Sequence, residues 1–208
     1  LLDWTTLYFT KYAIEEPHLE AEILLAHSLS VKRIELYVQH ERVLTTDELA
    51  NFKQLILRRV KKEPVAYIIG YKPFMSLDFI VNRDVLIPRP ETEKLVEIAI
   101  DITKSIFGNI HILDIGCGSG AIAVSIAKYA QNTFIIATDT SERAIKISKQ
   151  NSQNHGVQEK ITFYQGNLFE PIPSDSKFDI IVSNPPYIPS NEINNLQIEI
   201  KDFEPITA

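Results

Sequence analysis

One cysteine, Cys117, stands in the whole chain. It rules out an intrachain disulfide and any zinc site built from several cysteines, so no metal is expected. Long apolar runs are missing too: none reaches the ~20 residues that a membrane-spanning helix needs. The first residues, Leu1-Leu2-Asp3-Trp4, show neither the basic nor the apolar region of a secretory signal. Cytoplasm, with no membrane partner, is the expected setting, and a start without Met is expected of a piece of a longer chain. Positive charge is also in deficit, with 21 Lys and Arg against 27 Asp and Glu and a net charge of −6. Proteins that grip nucleic acid neutralise phosphates with basic patches, so direct nucleic-acid binding is not expected. The densest basic run, Arg58-Arg59-Val60-Lys61-Lys62, reads as the solvated end of a helix, where cations suit the dipole.

What is present is enough for a core: 45% of the 208 residues are hydrophobic, which sustains one domain with a small appendage. Residues 1–63 contain no glycine and no alternating pattern. Leu19, Ile23, Leu24, Ala26, His27 and Leu29, and again Leu49, Phe52, Leu55, Ile56 and Val60, recur near a 3.6 period. A helical N-terminal domain is predicted there, its last helix capped by Thr46 or Asp47. Residues 64–90 change character. Pro64, Gly70, Pro73, Pro88 and Pro90 punctuate β-prone runs such as Val65–Ile69 and Phe79–Val81, predicting a linker that carries a β-hairpin. A helix follows near Glu91, whose carboxylate and that of Glu93 suit its positive end.

From Ile110 onward strands and helices alternate. Ile110–Ile115, Phe134–Thr138, Ile161–Gln165 and Phe178–Ser183 read as strands, and Ala121–Ala130 and Ser141–His155 as helices. The pattern predicts an α/β fold for 91–208, a parallel sheet with helices on both faces.

Two motifs in that alternation carry chemistry. Asp114-Ile115-Gly116-Cys117-Gly118-Ser119-Gly120 joins the first strand to its helix. There glycines permit a tight turn and a close approach of the backbone to a ligand. Asp139 ends the second strand at the spacing where nucleotide-binding folds place a carboxylate against a ribose diol; alone it would also serve as a helix cap. Together they point to a nucleoside cofactor. Cys117 reads as a small loop residue, with no His or second Cys to activate it. The second motif, Asn184-Pro185-Pro186-Tyr187, follows the fourth strand. The prolines fix φ and hold their carbonyls rigidly at the strand's end. Asn184 can then accept one N–H of a planar NH₂ group and the Pro185 carbonyl the other, aiming a delocalised lone pair at a methyl donor, with Tyr187 packed on the planar group. None of the five histidines stands where catalysis would need it.

The glycine loop, tighter than the G-x-G-x-x-G of dinucleotide enzymes, resembles the first motif of class I S-adenosylmethionine methyltransferases. More specifically, the chain resembles the release factor glutamine methyltransferase family over essentially its whole length. The residues concerned are Glu20–His27, Arg58-Arg59 with Glu63–Gly70, Leu86–Glu93, the two motifs, and Phe203-Glu204-Pro205 with Ala208. The resemblance implies a Rossmann-like class I sheet, cut short at its C-terminus so that the fourth strand has an open edge, behind a small helical domain that helps recognise the substrate. It implies that Asp114, Gly116, Cys117, Gly118, Ser119 and Gly120 cradle the methionine part of S-adenosyl-L-methionine, that Asp139 holds the ribose, and that Asn167 and Leu168 border the adenine. Asn167 also fits an ordinary turn. The implied reaction methylates the side-chain N5 of the glutamine in the Gly-Gly-Gln loop of class 1 peptide chain release factors. A sister enzyme that methylates a ribosomal protein typically has Ser-Pro where Pro90-Glu91 stands, which favours the release factor. Arg89 and Glu93 fit either an inner wall of the site or a plain helix entry and are not assigned to it. Lys62 stands where the family usually has Gly, and is read as a harmless surface change. Two rival classes remain: a nucleic-acid amino-methyltransferase acting on adenine N6, cytosine N4 or guanine N2, and a non-catalytic nucleoside-binding regulator.

Overall fold

The apolar stripes of the first 60 residues close on one another. Helices α1 (Leu2–Lys11), α2 (Pro17–Ser28), α3 (Arg33–Val38) and α4 (Thr46–Val60) share a core that includes Phe9, Leu24, Leu25, Phe52 and Ile56. The computed structural model describes residues 1–189, 192 and 196–206. Ala208, which contributes to the resemblance above and ends the expected 91–208 domain, lies outside them. The chain divides into two compact units, Leu1–Ile69 and Gly70–Ala208.

Three expectations for the first unit are corrected. The cap of α4 is Thr45, not Thr46 or Asp47: its Oγ1 accepts the Glu48 N–H at 3.2 Å, and Glu48 accepts the Thr45 N–H at 2.8 Å. Only Thr45 has a glutamate three residues on, as this reciprocal box requires. Val65–Ile69 is a helix, α5, not a β-run. Pro64 starts the turn, its carbonyl accepting from Tyr67 and Ile68 at 3.0 Å, and burial of Ala66, Tyr67 and Ile68 overrides their β-propensity. The basic run ends α4 as expected, with Arg58 and Lys61 reaching solvent, but Arg59 does not. Arg59 is 2% exposed and bound by Glu20 at 2.5 Å, while Arg58 pairs with Glu63 through two bonds of 2.8 Å.

Lys62 is more than a surface change. Its N–H donates to the Arg59 carbonyl, the Glu63 N–H to the Arg58 carbonyl, and its φ is +69°. This is the left-handed end of α4 that glycine ordinarily supplies, at a cost to Lys of about 1–2 kcal/mol. The Lys62 ammonium offsets it by donating to the Tyr12 and Ala13 carbonyls at 2.8 Å.

The second unit begins with the predicted hairpin, β1 (Tyr71–Phe74) and β2 (Leu77–Ile80), joined across Met75 and Ser76. Then come α6 (Pro90–Thr103), β3 (Ile110–Ile115), α7 (Ala121–Tyr129), β4 (Thr133–Asp139), α8 (Glu142–Asn154), β5 (Ile161–Gln165), β6 (Ile180–Ser183) and α9 (Ile198–Phe203). Strands β3 to β6 form a parallel sheet in the order β5-β4-β3-β6. This is the class I methyltransferase arrangement.

One face of the sheet carries Ile112, Ile135, Ile161 and Ile180 in register, all buried in a core shared with α6, α7 and α8. The other buries Leu113 but leaves His111, Phe134, Thr162 and Ile181 exposed, so among the described residues the expected helical cover on both faces is incomplete. The physical reason is handedness. The steps β3→β4→β5 run one way, and right-handed crossovers put α7 and α8 on the same side. The return to β6 spans residues 166–179 without a helix. Among the described residues β6 is paired on one side only, with β3. The order reverses at β3, and the crevice beyond the strand ends at such a reversal is where open α/β sheets bind ligands.

Candidate active site

Every predicted site motif leaves a strand at that end of the sheet. Past β3 the loop turns through Gly116, Gly118 and Gly120, with φ of +75°, +55° and +80°. The Gly116 and Cys117 N–H groups both donate to the Thr138 carbonyl, at 2.8 and 2.9 Å. Gly120 is needed for space as well as conformation, since a Cβ there would stand 3.1 Å from that of Ser148. Past β4, Asp139 accepts the Gly118 N–H at 2.9 Å through Oδ2 and the Ser141 N–H at 2.9 Å through Oδ1. Ser141, not Asp139, caps α8 by accepting from Ala144.

These residues line a cavity of about 470 Å³, a volume suited to a small-molecule ligand. Gly116, Cys117, Gly118, Ser119, Asp139, Asn167, Leu168, Asn184, Pro185 and Pro186 are all on its wall, with Leu86, Val85, Ala121 and Ile122 among its apolar members. Gly120 is absent from the lining and shapes the turn. Asp114 is also off the wall. It is fully buried, its Oδ2 accepts the Ala123 N–H at 3.2 Å inside the first turn of α7, and its Oδ1 has no partner among the described residues. Burial, with the Asp139 charge adding to it against the Ala123 hydrogen bond, pushes its carboxyl up to about 7. Burial likewise holds the Cys117 thiol well above its ordinary range, the condition of an inert thiol.

A second cavity of about 530 Å³ includes Asn184, Pro185, Pro186 and Tyr187 with Glu91, Ile200, Lys201 and Glu204. Asn184, Pro185 and Pro186 belong to both walls. The Asn184 Nδ2 donates to Thr92 Oγ1 at 3.3 Å, and its Oδ1 accepts from no described residue. Tyr187 lines the second cavity only and is 79% exposed.

Arg89, left out of the predicted site, lines both cavities and pairs with Glu204 at 2.6 Å. Burial raises the Glu204 carboxyl above its usual range, against the pull of Arg89. Glu93 belongs elsewhere: it accepts the Met75 N–H at 2.6 Å, bracing a hairpin turn in which Met75 and Ser76 both have positive φ. Thr92 and Glu204 were not anticipated. Glu204 lies 115 residues from its partner, and the Phe203-Glu204-Pro205 segment gave no sign that it pairs with Arg89. The Pro90-Glu91-Thr92 helix entry was visible but gave no sign of which side chain faces the strand ends.

The family profile of the PrmC N-terminal domain matches residues 1–70, and that of the methyltransferase small domain matches residues 99–199. A release factor glutamine methyltransferase of Rhodopirellula baltica is 44% identical over 99% of this chain and 70% of its own length. One of Geobacter sulfurreducens is 41% identical over 100% of this chain and 71% of its own. Among solved structures, a human methyltransferase 10 domain containing protein is 18% identical with a TM-score of 0.46, over 55% of this chain and 56% of that one.

Proposed function

The chain belongs to the release factor glutamine methyltransferase family, and from that premise we propose that it transfers a methyl group from S-adenosyl-L-methionine to the side-chain N5 of the glutamine in the Gly-Gly-Gln loop of class 1 peptide chain release factors. The observation that carries the reading is the shared wall: Asn184, Pro185 and Pro186 separate a cavity furnished for a nucleoside from a second one open beside it. The first suits the donor. Asp139 keeps acceptor capacity for a ribose diol after holding two backbone N–H groups, and Val85, Ile122 and Leu168 offer apolar surface to a base. The second suits a side chain presented on a loop.

The donor supplies a methyl activated by a sulfonium, with a neutral leaving group. The chain's own residues do the rest. An amide nitrogen is a poor nucleophile because its lone pair is delocalised. Asn184 Oδ1, turned away from Thr92, accepts one substrate N–H, and the Pro185 carbonyl accepts the other. Holding both hydrogens aims the lone pair across the wall. The donor's neutral leaving group calls for no strong acid; the proton that the nitrogen must shed on methylation would pass to solvent water in the open second cavity, and orientation can supply roughly 7–11 kcal/mol of the barrier. Tyr187 then folds over the bound amide. Action in the cytoplasm on a protein, not on nucleic acid, is supported by the net charge of −6 and by the internal pairing of Arg58 and Arg59. In addition, no helix among the described residues is long and apolar enough to cross a membrane.

Incubation of the intact enzyme with labelled donor, release factor, RNA and DNA tests this directly. The Gly-Gly-Gln peptide is expected to become one methylene heavier by mass spectrometry. Label that enters nucleic acid and spares the release factor refutes the assignment.

A further inference from the structure

The glycine loop is fastened from outside by α8. Ser148 and Asn151, about one turn apart on that helix, are both fully buried. The Ser148 hydroxyl donates to the Gly118 carbonyl at 2.7 Å, and the Asn151 side-chain N–H to the Ser119 carbonyl at 2.8 Å. Asn151 is itself fixed on β2, donating to the Ile80 carbonyl at 3.0 Å and accepting the Ile80 N–H at 2.8 Å. Two consecutive carbonyls of the loop are thus pinned to α8.

Pinning a carbonyl also aims the N–H of the same peptide unit. In a trans peptide the two point in opposite directions, and the chain has no cis bond among its described residues. With the Gly118 carbonyl held on α8, the Ser119 N–H is turned to the other side of the loop, where Gly118 and Ser119 line the first cavity. No described residue accepts from it. The Gly120 N–H differs, being closed on the Cys117 carbonyl at 2.7 Å. Beside Ser119, Ala121 and Ile122 in the first turn of α7 line the same cavity, and the N–H groups of a first turn lack intrahelical acceptors. One free N–H next to a helix N-terminus matches a carboxylate.

We propose that Ser148 is a positioning residue: by holding the Gly118 carbonyl on α8, it presents the Ser119 N–H to the carboxylate of a cofactor that carries an amino acid, while Asn151 braces the loop at the next carbonyl. The proposal rests on the reading of the first cavity as the S-adenosylmethionine site. It divides that site in two. Asp139 serves the ribose, and α8, acting through the loop, serves the amino-acid end.

S-Adenosylhomocysteine has that end and adenosine lacks it, so the pair separates positioning from general support. In Ser148→Ala, affinity for S-adenosylhomocysteine measured by calorimetry is expected to fall about tenfold, the scale of one hydrogen bond, with adenosine affinity unchanged. In wild type, the ¹⁵N–¹H resonance of Ser119 is expected to shift on binding S-adenosylhomocysteine and not adenosine, and the shift shrinks in Ser148→Ala. Equal weakening of both ligands would mean a purely structural role and overturns the proposal, as does unaltered affinity for S-adenosylhomocysteine. If Ser148→Ala fails to fold, the wild-type resonance still decides, because a Ser119 amide indifferent to S-adenosylhomocysteine overturns it alone. Wild-type enzyme that binds neither ligand sinks the cofactor reading of the cavity, and this proposal with it.

Discussion

Replacing Asp139 separates the two tasks of its carboxylate. An ionised carboxylate has about four lone-pair directions. The Gly118 N–H takes one on Oδ2 and the Ser141 N–H one on Oδ1. Roughly one acceptor direction per oxygen remains for the cavity, the number that a ribose diol fills. Asp139→Ala removes both ligand bonds and both loop anchors. At about 1.5–3 kcal/mol per charge-assisted bond, affinity for S-adenosylhomocysteine falls by roughly 3–6 kcal/mol, or ~10²–10⁴ in Kd. Asp139→Asn keeps one acceptor oxygen and turns an NH₂ toward one of the two backbone N–H groups, so about half of that loss is expected. Calorimetric titration should therefore rank wild type above Asn and Asn above Ala. Thermal unfolding without ligand should show Asp139→Ala lowered as well, because the loop has lost its anchors. An Ala variant that binds as tightly as wild type would refute the lone-pair argument.

Asn184→Ala should lower turnover by ~10²–10³, the scale for one preorganised polar group, and leave donor affinity nearly intact; an unchanged rate would remove the assigned chemistry. Arg89→Met leaves the Glu204 carboxylate, 4% exposed, without its cation, and a loss of about 3 kcal/mol in urea unfolding is expected. The variant's Glu204 rises further above its ordinary 4.5, so the deficit should be larger at high pH than near pH 5. Pairing it with Glu204→Leu should recover most of the stability, and a double variant no better than the single would be the contrary result. Asp114, at about 7 when folded against 3.8 in its ordinary state, keeps a proton that the unfolded chain releases. Its contribution is then full below pH ~4 and is lost as pH rises through 7, by up to about 4 kcal/mol. Asp114→Asn should flatten that slope in denaturant unfolding, and an unchanged slope would show that Asp114 does not carry it.

The sheet was legible because each strand is a short apolar run closed by a glycine, asparagine or aspartate. Ile110–Ile115 and Ile161–Gln165 fall where the sequence puts them. Errors arose where tertiary burial or a reciprocal partner decides. Val65–Ile69 has β-branched ends yet turns as a helix behind Pro64. Arg59 reads as a surface cation until Glu20, 39 residues earlier, is seen to hold it. Thr45 was in fact readable, since the Thr-x-x-Glu spacing of its box is printed in the chain.

The site shows the same division more sharply. In a parallel sheet every strand delivers its following loop to the same end, so the glycine turn, Asp139 and Asn184-Pro185-Pro186 converge without any need to know register. Adjacency of β4, β3 and β6 then suffices to place them around one cavity. Thr92, Arg89, Glu204, Ser148 and Asn151 act through side chains whose direction depends on how α6, α8 and the segment after α9 are rotated against that end. Ser148 looks like any polar residue of an amphipathic helix, and only the packing of α8 on the loop turns it inward. A motif at a strand's end thus announces itself in sequence, whereas the residues that fix its orientation are defined by the fold.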